Sequence, residues 1–440
     1  MLPSSRFASC MKPNVAYLVL NFSLLWKKQT TLPSFAYAGM QVTGWTGAGR
    51  FFCPAMDRNG DNPDRTGYCM EEQVEDYITR GVDRFRHRSY SEALALFDRA
   101  VSLDPGCIRA WNGRAAALGN LGLFPAALDS CDTAIATDPG YFRAWSNRGW
   151  VLGHLGRNAE ALDSCDRAIA LRPDFAEAWH TRGWVLTNLG RDQEALDSCD
   201  RATALSPDDV EAWNMRGNVL MGLGRYADAL GSYDRVIATS PDLPGAWFNR
   251  ANTLAQLGRH TEALVSYDRA VALRPEYAEA WNNRGNTCMH LGRPEDAVAS
   301  YFTAFSLRPE YAEAWYNHGS ALSDLDRHDE AIISYDVATT LQPEYAEAWY
   351  NRGVALGALG RYAEAVVSYD RVIAINPGDA EAWYSRGHAM RCLGRQEEAD
   401  VSHDTAVALD PGCGGRNGSG HPRKKNPGNP VCHTPGNANI

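Results

Sequence analysis

Apolar residues along this chain follow two nested periods. The short one is helical: Trp349, Gly353 and Leu356 share a face at spacings of four and three, and Ala365, Tyr369 and Val372 repeat the pattern just downstream. The long one is 34 residues. Tryptophan stands at that interval from Trp111 to Trp383 and proline from Pro105 to Pro411, with no insertion. The two ladders define ten units: 74–107, 108–141, 142–175, 176–209, 210–243, 244–277, 278–311, 312–345, 346–379 and 380–413. A fixed period of this size predicts a solenoid in which each unit stacks on the next.

With the tryptophan as position 4 and the proline as position 32, position 8 is Gly or Ala in all ten units and position 20 is Ala in all ten. Small residues let two helices approach closely, and the indole fills the space beside them. Between the stripes, Leu359-Gly360-Arg361 supplies a glycine able to end the first helix in a left-handed cap. The proline, usually followed by Asp, Glu or Gly, ends the second helix and opens the next unit. Each unit is therefore expected to be a helical hairpin whose apolar face is buried only by stacking, so that stability is a sum of neighbour interfaces. Arginine holds position 7 in nine units, with His318 in the other, and Asp holds position 25 in nine, with Phe302 the exception. The expected use of this pair is structural, an arginine fork bonded to a carboxylate on a neighbouring helix. A row of arginines receiving an acidic ligand is the competing use.

This pattern resembles the tetratricopeptide repeat family, whose signature positions are occupied here by Trp349, Gly353, Ala365, Tyr369, Val372 and Pro377. The family usually has Leu at position 7 and often Tyr at position 11, where this chain has Arg352 and Leu356. The resemblance implies an all-α, right-handed superhelical solenoid of helix-turn-helix hairpins. It also implies a binding face. Positions 2, 5, 9 and 12 form a stripe on each first helix, offset from the buried one; in the family this stripe, with positions 6 and 13, lines a concave groove that receives extended peptides.

The stripe is not uniform. Units three and four place Trp150 and Trp184 at position 9, with His154 at position 13 and His180 at position 5. Exposed indoles are costly unless they contact something, and tryptophan is enriched at binding hot spots; the alternative is that both tuck against neighbouring helices as extra core. Units five to seven carry Asn218, Asn252 and Asn286 at position 9, with Asn282 at position 5, and Asn249, Asn283, Asn317 and Asn351 repeat at position 6 of units six to nine. An amide matches a peptide group without reading its side chain, and the series looks like the asparagine ladder in the repeat arms of O-linked N-acetylglucosamine transferases. Units eight to ten offer Tyr316, Tyr350 and Tyr384 at position 5, a row of amphipathic rings suited to a peptide. Position 2 is mostly Glu, and position 5 is nowhere Lys, so the carboxylate clamp of chaperone-tail binders is absent. The expected partner is another protein or an extended peptide, neutral or basic rather than an acidic C-terminal tail.

Composition narrows the class further. A formal net charge of −10 argues against nucleic-acid binding, which needs a basic face; the one basic cluster is Arg423-Lys424-Lys425. Of the eleven cysteines, Cys131, Cys165 and Cys199 recur at the repeat spacing and read as small apolar fillers, which fits a reducing, cytoplasmic compartment. No phosphate-binding loop, HExxH, GxSxG or metal-spaced set occurs, so neither an enzyme nor a cofactor is expected. The apolar run at 15–26 is too short to span a bilayer. It reads either as a signal-peptide core, with export as the consequence, or as part of an extension over 1–73 foreign to the working protein. The tail 414–440, rich in Gly, Pro and Asn, is expected to be disordered. That leaves the last hairpin uncovered around Val401 and Val407, with three accounts open: end-to-end self-association, masking, or a frame change. The function expected is an interaction scaffold; the alternatives are the recruiting arm of a glycosyltransferase-type enzyme and an exported assembly factor.

Overall fold

The computed structural model describes residues 65–412, with side chains from Met70 onward. Among them are twenty α-helices and no strand. The chain divides at Pro241/Asp242 into two units, each a run of helical hairpins packed in sequence order. First helices of repeats 2 to 10 are 13 residues long, as in Ala346–Ala358, and second helices are 14, as in Tyr362–Ile375. The opening helix, Arg65–Arg86, is longer at 22 residues and begins upstream of Val74, where the repeat pattern starts. The apolar run at 15–26, the Arg423-Lys424-Lys425 cluster and the 414–440 tail lie outside the described residues. No helix among the described residues is long and apolar enough to cross a membrane. Val401 and Val407, on the last helix Gln396–Leu409, are exposed.

The two sequence ladders are joined to each other. In the first unit the Trp111 indole N–H donates to the Pro105 carbonyl at 2.9 Å, and in the second Trp349 donates to Pro343 at 3.0 Å. Each of these tryptophans thus latches the turn that precedes its own helix. The small residue at position 8 makes room for the ring at position 24: a Cβ added to Gly353 would lie 2.6 Å from Tyr369 Cε1. Glycine is needed for another reason at Gly360, whose φ of +73° is the left-handed cap between the two helices.

The arginine at position 7 is a structural strut with two arms. Arg352 Nε donates to Asp336 Oδ1 at 2.6 Å on the preceding repeat, and Nη1 donates to Ser368 Oγ at 2.7 Å on its own second helix. The expected carboxylate therefore takes only one arm of the fork. The guanidinium also lies 5.8 Å from the Trp349 ring, so strut and latch share one packed unit. Where repeat 8 replaces this arginine with His318, the partner aspartate is replaced by Phe302 in the preceding repeat. Charge is withdrawn from both sides of that junction together. Cys131, Cys165 and Cys199 are fully buried free thiols, each pushed up to about 12 by burial, and are chemically inert fillers at position 24.

Candidate functional site: the face of the first helices

The position-5 and position-6 side chains form a ladder from repeat to repeat. Asn147 Nδ2 donates to Asn112 Oδ1 at 2.9 Å in the first unit. In the second, Asn317 donates to Asn282 at 3.0 Å and Asn351 to the Tyr316 hydroxyl at 3.2 Å, while the Tyr350 and Ser385 hydroxyls pair at 3.2 Å. These groups face inward: Asn282, Asn317, Asn351, Tyr316 and Tyr350 are all buried. Sequence reasoning put all five on the ligand-facing stripe; the structure uses them to tie neighbouring repeats together. Of the tyrosine row only Tyr384 is half-exposed, lying 5.0 Å from the His403 ring. A position-5 side chain sits at the border of the buried stripe, and a partner at position 6 of the next repeat draws it in.

Position 9 stays nearer to solvent. Asn218 is exposed, and Asn252 and Asn286 are half-buried. Each accepts a hydrogen bond from the tyrosine at position 24 of its own repeat, Tyr233 to Asn218 and Tyr301 to Asn286 at 2.7 Å, and Tyr267 to Asn252. Their orientation is set by the core behind them. Asn252 Oδ1 also accepts from Asn283 Nδ2 at 3.1 Å.

Trp150 and Trp184 are half-buried, and each lies across a glycine of the preceding repeat; a Cβ on Gly119 or Gly153 would run into the indole. The sequence carries a signal for this packing, since both tryptophans follow a repeat with glycine at position 12. Both indoles, left partly exposed, join an aromatic cluster built around His154. That ring stacks on Phe124 at 4.8 Å and meets Trp150 at 4.6 Å and Trp184 at 4.8 Å. Burial pulls the His154 pKa below its ordinary value, which favours the neutral ring. His180, also half-buried, is pulled down by burial, against the opposing influence of Asp209, Glu211 and Glu177.

Sequence reasoning noted the glutamates at position 2 but missed the tyrosines that stand before three of the first helices. These are Tyr277, Tyr311 and Tyr345 at position 34, followed two residues on by Glu279, Glu313 and Glu347. The tyrosine rings pack against position 5 of the same repeat, Tyr345 on Tyr316 at 4.9 Å, and burial raises all three hydroxyl pKa values. The signal was their presence in a repeated phrase, YAEAW, that the tryptophan ladder alone does not require. Among the described residues no group of three His, Cys, Asp or Glu is arranged to hold a metal ion.

Comparison with known proteins agrees with this architecture. Tetratricopeptide repeat profiles match residues 78–142, 142–175, 176–209, 214–275, 278–311, 319–360, 346–379 and 368–400. None of the curated proteins matches the chain. Similar solved structures include the MamA protein, with 26% identity over 40% of this chain and 95% of that one and a TM-score of 0.37. Another is TTC0263, a thermophilic TPR protein of Thermus thermophilus, with 25% identity, 41% and 99% coverage and a TM-score of 0.39. A third is PilF of Pseudomonas aeruginosa, with 17% identity, 50% and 99% coverage and a TM-score of 0.44. Tandem profile matches over most of the described residues, on hairpins with the latch and cap geometry above, place the chain in a family of generally non-catalytic interaction scaffolds: it belongs to the tetratricopeptide repeats.

Proposed function

We propose that this chain is a non-catalytic scaffold that holds an extended, neutral or basic segment of a partner protein against its first helices. The observation that carries this is the half-exposed cluster of Phe124, Trp150, His154 and Trp184, set on a frame whose inward polar groups are paired between repeats. Indole and imidazole edges held rigidly at a surface bind with little loss of side-chain freedom. The buried free thiols of Cys131, Cys165 and Cys199 support the cytoplasm as the working compartment.

The test is an array of extended peptides of varied composition probed with the full chain and with a Trp150→Ala/Trp184→Ala variant. The expected result is a set of neutral and basic peptides retained by the first and lost or weakened at least tenfold by the second. Circular dichroism melts of both proteins establish that the variant keeps its helices. An identical retained set for the two proteins sinks the reading.

A further inference from the structure

Positions 2 and 31 of one repeat can close on each other as an ion pair. In repeat 7, Arg308 at position 31 donates through Nη2 to Glu279 Oε1 at position 2, at 2.7 Å. Repeat 3 keeps the arginine, as Arg172, and reverses the other charge, as Arg143. Two cations stand where the other repeat holds a neutral pair. Both are drawn to one aromatic ring: Cζ of Arg172 lies 4.6 Å from the centre of Phe142, and Cζ of Arg143 lies 5.4 Å from it. Arg143 also lies 5.1 Å from the buried Phe175 ring, which meets Phe142 edge-on at 4.8 Å. The frame beneath the two guanidiniums is therefore packed and apolar, while both arginines are exposed.

Their charge is poorly met from within the chain. Arg109, at position 2 of the preceding repeat, pairs with Glu75 at 2.9 Å, whereas among the described residues no carboxylate pairs with Arg143. Arg172 reaches only Asp174, at 3.7 Å, with both side chains more than half exposed, and such a contact is worth little. Arg143 also stands in the first turn of the helix Phe142–His154, where the helix dipole disfavours a cation and no acidic residue offsets it. The next two repeats place Glu177 and Glu211 at this position.

We infer that Arg143, with Arg172 beside it, binds an aspartate or glutamate side chain of the partner segment. A guanidinium fork serves both oxygens of a carboxylate, and aromatic faces hold it in place before the ligand arrives. Arg143 and Trp150 are seven residues apart on one helix face, about 10 Å along the axis. An extended segment covers that distance in about three residues. The partner thus carries a carboxylate about three residues from the side chain that rests on Trp150, and Glu177 and Glu211 suit a neutral or basic remainder. This is not the clamp of chaperone-tail binders, since the position 5 that would hold its lysine is Ser146. The inference rests on the peptide-binding reading above and adds to it a charge and a spacing.

The test is an array of short immobilised peptides of Gly, Ser and Lys with a central phenylalanine. A single glutamate is moved through every other place, and each peptide is matched by one with glutamine there. The full chain should retain the peptide with glutamate at the stated spacing about tenfold better than its glutamine match. Arg143→Gln should abolish that gain and leave the glutamine peptides bound as before, and Arg143→Lys should keep part of it. Circular dichroism melts of both variants should coincide with the wild type, because the side chain is exposed. Equal retention of glutamate and glutamine peptides overturns the subsite, as does a gain at every spacing or one that survives in Arg143→Gln. A wild-type chain that retains none of the peptides overturns it too. The peptide-binding reading is judged separately by the Trp150→Ala/Trp184→Ala variant, which should lose glutamate and glutamine peptides alike.

Discussion

Acidification should loosen repeat 8 through one histidine. His318 occupies the place of the arginine strut; it is 2% exposed, with Nδ1 2.9 Å from Ser334 Oγ. The Phe305 ring meets it edge-on at 5.1 Å, and Trp315 stacks on the far side of Phe305 at 3.6 Å. Burial pulls the imidazole down from 6.5 to about 3, and the Arg327 charge pushes the same way. Because the folded pKa is lower than the unfolded one, the fold prefers the neutral ring. The stabilisation is complete above pH 6.5 and is lost progressively as pH falls toward 3. At pH 5, about 1.5 units below the unfolded value, the loss is about 2 kcal/mol.

A solenoid need not unfold all at once, and the chain has 13 tryptophans, so neither a global melt nor fluorescence isolates this junction. The readout is hydrogen exchange followed by mass spectrometry on peptides from the helix Ala312–Asp324, at pH 7 and pH 5 and corrected for intrinsic exchange. His318→Gln retains a hydrogen-bonding amide for Ser334 and does not titrate. The wild-type helix should lose about 2 kcal/mol of protection on acidification relative to the variant. His154, His180 and His403 are also pulled down by burial, so the comparison must be made in this helix and between these two proteins. Equal pH dependence in wild type and variant would refute the argument.

Three further outcomes follow from the geometry. Arg352→Ala should lower stability in urea titration by about 1–2 kcal/mol, because its side chain is 15% exposed and its loss removes the charge-assisted bond to the half-exposed Asp336 and one of the two hydrogen bonds of Ser368; unchanged stability with lost peptide binding would reassign the arginine row to ligand contact. Gly360→Ala should cost about 1 kcal/mol in thermal melting, from backbone strain alone, since φ is +73° and an added Cβ meets nothing within 4 Å. Trp349→Phe should cost about 1 kcal/mol by the same assay, chiefly through the hydrogen bond to the Pro343 carbonyl.

The fold was legible because its determinants are local and repeated. Gly360 must adopt positive φ, Ala365 must let a helix approach, and Trp349 must reach back to Pro343; each requirement recurs every 34 residues, so each reinforces the others. The arginine strut was legible for the same reason, although Ser368 as its second acceptor was not, because a serine on a helix announces no partner. The ligand face was harder to read. Whether a position-5 side chain points out or in depends on what the next repeat presents at position 6. Tyr316 and Tyr350 look like surface rings until Asn351 and Ser385 are seen across the junction. For Trp150 the sequence left contact with a ligand and packing on a neighbouring helix both open, and the structure lays it on Gly119.

Function in an array of near-identical units is carried by departures from the pattern, because what every unit shares is needed to stack. The two places where this chain departs most differ in what the departure removes. At repeats 7 and 8 the Arg–Asp strut is lost from both sides at once, Phe302 and His318 replacing it with a packed, uncharged junction, so no ligand is required there. At Gln342 the cation of the two preceding copies of RPEYAEAW is lost and the tyrosine of the phrase is kept, and the Tyr345 hydroxyl is buried without a hydrogen-bond partner. A coordinated replacement is repacking, whereas a one-sided one leaves a demand that another molecule can meet.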